Sequence, residues 1–153
     1  MCSVRTGESE TCILAAKQFL EVAEMLTTDD ERSVHFVRPI FVNAGLSCEL
    51  FLKAIQMIES TNNTFDGGHE LNDLFLAISE DARGSVLGIY NTLYQESIIK
   101  KDLLDYLSHH PKPFIDFRYT FEQSAEGNMF VLLNFARSLQ AYTEMVLSNK
   151  HNS

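Results

Sequence analysis

Cysteine is scarce in this chain, and the three present, Cys2, Cys12 and Cys48, share no metal-ligand spacing. Their odd number, and the apolar helical patterns around Cys12 and Cys48, argue for reduced thiols rather than a disulfide framework. Basic residues are also few, with 12 Lys and Arg against 21 Asp and Glu and a net charge of -9. Proteins that coat nucleic acid cluster Lys and Arg, so this balance excludes a broad, nonspecific phosphate-binding surface. A small local basic pocket remains compatible with it. The same balance disfavours docking on an anionic membrane. No apolar run reaches about 18 residues without a polar break, so no membrane-spanning helix is expected. The opening residues MCSVRTGESE have no apolar core of the signal-peptide kind, so a cytoplasmic protein is expected. Three catalytic signatures are missing: a Gly-rich loop ending in Gly-Lys-Ser/Thr, His-Glu-x-x-His, and Gly-x-Ser-x-Gly.

With 153 residues, 45% of them hydrophobic, the chain suits one globular domain spanning 1–153, with its core in about 9–149. The stretch from Arg38 to Ser60 organises the rest. On a helical projection Ile40, Leu46, Leu50, Phe51, Leu52, Ala54, Ile55, Met57 and Ile58 spread round most of the circumference. A helix apolar on nearly every side is a buried helix. Glu49, Lys53, Gln56 and Ser60 nevertheless share one narrow stripe, a polar seam on a central helix.

Around that helix the periodicity predicts others. Ser9 to Leu26 carries an inward stripe of Cys12, Ala15, Ala16, Phe19, Val22, Ala23 and Leu26, with Ser9 or Thr11 as cap. The central helix is expected to begin near Glu31, bend near Pro39 and end near Glu59. Residues 60–68 are rich in turn formers and predict a loop. Short helices are expected over 69–78 and 97–107, and longer ones over 80–95 and from Glu126-Gly127 to about Leu147. Phe114 to Phe121 has strand-like chemistry but no partner strand, so it reads as an irregular or short helical crossing. The fold class is thus all-α: an antiparallel bundle of four long helices plus one or two short ones.

Four polar residues stand out as a candidate cluster. Glu49 precedes Lys53 by one helical turn, the favourable order for an ion pair. On a buried helix such charges need partners, so they mark either a polar site or a self-satisfied pair that fixes register. His69 follows two glycines and opens a helix, which makes it either a titratable group beside a ligand or a helix-entry residue bonded to the loop. Arg118 lies among Phe114, Phe117 and Phe121, where its planar fork suits a phosphate or an internal carboxylate such as Glu49. His109-His110 before Pro111 reads as an exposed turn, and Cys48, with apolar neighbours, as core. No metal site and no cofactor are expected.

Three segments in order, Asn43–Ile55 (NAGLSCELFLKAI), Gly68–Phe75 (GHELNDLF) and Phe114–Glu122 (FIDFRYTFE), resemble the HEPN superfamily. The resemblance covers roughly residues 9–149. It implies a helical bundle, often a homodimer, in a bacterial stress or phage-defence setting, associated with a nucleotide, with RNA or with a partner protein. The RNase members carry an Arg-x4-6-His motif, and none of the six arginines here is followed by His at that offset. The resemblance therefore implies a noncatalytic binding module, with no DNA-specific role. Lys53 and Arg118 would contact phosphate, Glu49 would orient them, and His69 would tune the rim. The alternatives are a divergent metal-independent RNase using His69 and Arg118, and a purely structural, antitoxin-like dimer.

Overall fold

The computed structural model describes residues 4–93, 102–109 and 126–151. Seven helices and one small sheet are found among them. Four helices are long: α1 (Ser9–Met25), α3 (Val37–Glu59), α5 (Glu80–Leu93) and α7 (Glu126–His151). Three are short: α2 (Asp30–His35), α4 (Leu71–Ala77) and α6 (Leu103–His109). Two three-residue strands, β1 (Val4–Thr6) and β2 (Thr64–Asp66), pair antiparallel, with Arg5 opposite Phe65. The fold is an all-α helical bundle.

α3 occupies the centre. Ile40, Phe41, Ala44, Cys48, Phe51, Leu52 and Ala54 are fully buried along it. Its hydropathy alone would suit a membrane span, but 72% of its most apolar window is buried inside this protein, as in a core helix. α1 lies along one side. Small residues there bring the backbones close enough for side chains to reach across. Ser47 Oγ donates to the Ala16 carbonyl at 2.8 Å, and Cys12 Sγ to that of Leu50 at 3.1 Å. Position 12 meeting 50 and 16 meeting 47 makes α1 and α3 antiparallel. Across α7, Lys17 meets Glu144 at 3.5 Å and Glu24 meets Arg137 at 2.9 Å. α7 is therefore antiparallel to α1 as well and runs in the same direction as α3. Phe135 of α7 closes the core against Phe75 of α4, ring edge to face, with centroids 5.5 Å apart.

Several boundaries differ from expectation for identifiable reasons. The expected bend at Pro39 is a break three residues earlier. Asp29 caps α2 by accepting from the Arg32 N–H at 2.6 Å, and Phe36 leaves helical geometry at ψ 29°. Pro39 then falls in the first turn of α3, where a missing N–H leaves no acceptor unpaired. The inward stripe of α1 is Ile13, Ala16, Leu20 and Ala23, so Val22 is exposed instead of buried. Neither Ser9 nor Thr11 caps α1; Glu8 stands at that position, and Thr11 donates to its carboxylate at 3.1 Å. α4 begins two residues later than expected, and α7 reaches His151 rather than stopping near Leu147. The expected loop over 60–68 contains β2, whose partner β1 lies in a segment assigned no structure from sequence. The crossing expected over 114–121 lies outside the described residues.

Two measurements test this core. Phe135→Ala removes a fully buried ring and its edge-to-face partner, and urea denaturation should show a loss of about 3–5 kcal/mol. Burial pushes the Cys48 thiol well above its ordinary 9.0. The unfolded chain therefore releases this proton first as pH rises. The stabilising contribution is complete below pH 9.0 and declines above it. Unfolding free energy should fall with pH in that alkaline range, and less steeply in Cys48→Ala.

Candidate functional site

The polar seam of α3 faces the segment that leaves the helix and folds back along it. Each seam residue has a partner in that segment. Ser60 Oγ lies 2.7 Å from Thr64 Oγ1 and accepts from the Thr64 N–H at 3.2 Å. Gln56 Oε1 accepts from the Asp66 N–H at 2.7 Å. Lys53 places its ammonium 5.7 Å from the centre of the Phe65 ring, within cation–π range. Glu49 reaches His69, at the far end of the segment. The seam is thus the strip on which residues 60–69 dock. β2 bonds to β1 along one edge and to the Gln56 and Ser60 side chains along the other. Gly7 keeps this layer thin: a Cβ there would lie 3.2 Å from both Met57 Sδ and Phe65 Cε1. Asn63, with φ 53°, turns the chain back toward α3. A groove of about 330 Å³ opens beside this layer, lined by Gln56, Glu59, Ser60, Thr64, Phe65 and Asp66 among others.

The chemistry concentrates at Glu49. Its Oε1 takes the Lys53 ammonium at 2.7 Å and His69 Nδ1 at 2.7 Å. Glu49 is 6% exposed and Lys53 7%, whereas the His69 side chain is 67% exposed. One buried carboxylate therefore anchors a buried cation on one side and a solvent-facing imidazole on the other. Two buried charges at this distance compensate each other, which neither would do alone. Cys12, half-buried on α1, faces the same pair. Burial raises its thiol pKa; the field of Lys53 lowers it and that of Glu49 raises it.

The structure thus brings together Glu49, Lys53 and His69 from two segments of the chain. Arg118 lies outside the described residues. Lys53 sits in the wall of the site with its charge engaged by Glu49, and His69 occupies the rim. Sequence reasoning missed Gln56 and Ser60 as structural donors and acceptors for β2, and Phe65 as the ring beside Lys53. Their signal was present in the seam itself, which had more polar residues than one ion pair requires. Asp105 and His109 form an exposed pair at 3.5 Å on α6, apart from the seam. Among the described residues no group of three or more His, Cys, Asp or Glu is placed to hold a metal ion.

No family model, no curated protein and no solved structure matches this chain.

The pairing of Glu49 and Lys53 is open to a double-mutant cycle. Lys53→Met strands a buried carboxylate and should cost about 3–5 kcal/mol in urea denaturation. Adding Glu49→Leu to it should recover most of that loss, since an apolar pair of similar volume needs no counter-charge.

Proposed function

We propose that this chain is a noncatalytic, HEPN-like binding module that receives a nucleotide or an RNA end at the His69 rim. On this reading it is a bacterial cytoplasmic protein that works as a homodimer. Support comes from the three ordered segments that resemble the superfamily and from the all-α helical bundle formed by the described residues. The observation that carries the reading is the 2.7 Å contact between His69 Nδ1 and Glu49 Oε1, made by a ring that is otherwise open to solvent. An exposed imidazole held from behind by a buried carboxylate has a fixed direction. A ligand meeting it loses less orientational freedom than one meeting a mobile side chain. Arg118 joins the reading as a phosphate contact through the resemblance.

One observation favours a second reading. A carboxylate bonded to the inner nitrogen of an imidazole is the arrangement that makes the outer nitrogen a general base. His69 would then serve a divergent metal-independent RNase, with Arg118 stabilising the charged phosphate.

Titration of short labelled RNA and of mononucleotides into the purified protein, with mass measured by light scattering, tests both readings. Saturable binding by a dimer, weakened about tenfold or more in His69→Ala and in Arg118→Ala without a change in melting temperature, is the expected result. Cleavage of the RNA that vanishes in both variants would establish the enzyme instead. An unaltered dimer that binds no nucleotide or RNA would leave a structural, antitoxin-like partner.

A further inference from the structure

The shared oxygen of Glu49 determines which nitrogen of His69 carries the proton. Glu49 Oε1 lies 2.7 Å from the Lys53 ammonium. An ammonium has only hydrogens to offer, so it donates, and the carboxylate beside it is ionised. An ionised carboxylate has no hydrogen to give to the ring. His69 Nδ1, at 2.7 Å from the same oxygen, must therefore be the donor. A neutral imidazole carries one N–H only, and here it points inward at Glu49.

We infer that His69 is held as its Nδ1–H tautomer by the Lys53-braced Glu49, leaving Nε2 as an outward lone pair that accepts a hydrogen bond from a ligand hydroxyl. The inference deepens the nucleotide-binding reading and rests on it for the ligand, which is then gripped through a ribose hydroxyl instead of through its phosphate at this atom. Phosphate has only acceptor oxygens at neutral pH and meets an acceptor nitrogen unfavourably. The cation of the cluster does not offset this, because Lys53 is buried and bonded to Glu49. A metal ion is the other partner of an imidazole lone pair. Among the described residues no group of three ligands converges to hold one, whereas one hydrogen bond needs one acceptor. Lys53 acts here as a positioning residue: it keeps Glu49 ionised and in place and does not touch the ligand.

Two measurements on the intact chain separate the tautomer from the ligand. The first is the ring ¹⁵N spectrum of histidine-labelled protein at a pH where the His69 ring is seen to be neutral. His69→Asn identifies its signals among those of the five histidines. A pyrrole-type Nδ1 and a pyridine-type Nε2 are expected. In Glu49→Gln, whose amide offers both a donor and an acceptor, the two signals should move toward a mixture. An Nε2–H form or an even mixture in the unaltered protein overturns the inference outright, whether or not the variant folds. The second compares the four ribonucleoside 5′-monophosphates with their 2′,3′-dideoxy counterparts, which keep the phosphate and lack every free ribose hydroxyl, by equilibrium titration. Tighter binding of the ribose forms, by about tenfold, supports the hydroxyl contact. Equal binding of both sets overturns the hydroxyl contact while leaving the nucleotide reading in place. Binding of neither set, beside an Nδ1–H spectrum, overturns the nucleotide reading and the ligand with it.

Discussion

A buried carboxylate cannot be left alone, and most of what is particular about this bundle follows from how Glu49 is compensated. α3 packs against α1, α7, α4 and β2, so a charge in its middle turns, as at Glu49 and Lys53, is removed from water. Lys53, one turn on, neutralises Glu49 from within the same helix. The backbone of residues 60–69 then covers the pair, with Phe65 against the ammonium and His69 against the carboxylate. An apolar seam could have been covered by residues 60–69 as well. It would not have paired the outer edge of β2, which needs Gln56 and Ser60. The polar stripe is thus explained first by the segment that docks on it. The same contacts that satisfy the seam bring the His69 imidazole to the surface.

The long helices were legible because burial repeats with the helical period. α3 announced itself by being apolar on nearly all sides, and the pairing of Glu49 with Lys53 by its spacing. The expected stripe of α1 holds at Ala16 and Ala23, which are buried, and at Cys12 and Leu26, which pack against the core, but Val22 is exposed while Ile13 and Leu20 are buried. Val22 is as apolar as Ile13 and Leu20, and only the position of α3 selects between them. The sheet was illegible for a different reason. Three-residue strands carry no usable alternation, and Val4–Thr6 finds its partner far along the chain. The pairing is held by a glycine at position 7, an Asn in left-handed geometry and two side chains of α3, none of which is a strand signal. The break at Phe36 escaped notice because Pro39 is the more conspicuous residue, although its place in a first helical turn is one where proline is tolerated.

Within the candidate cluster, identity was easier to read than role. Glu49, Lys53 and His69 were selected for being polar in an apolar setting, and the folded chain does bring them to one oxygen. Which of them faces solvent depends on depth, and depth is not written in spacing. Lys53 is as buried as Glu49, while His69 is mostly open. A lysine on an otherwise apolar helix reads from sequence as a binding cation. Its ammonium is here engaged by an internal anion, and the solvent-facing member of the cluster is His69.

The pairing of β1 with β2 also orders events during synthesis. Val4–Thr6 leaves the ribosome long before Thr64–Asp66, and the side chains that hold the outer edge of β2 belong to the end of α3. The first strand must therefore wait, without its partner, until α1 and α3 have both emerged and the chain has turned at Asn63. The sheet cannot close before Asp66 has been made, and its closure completes the platform that carries His69 to the surface.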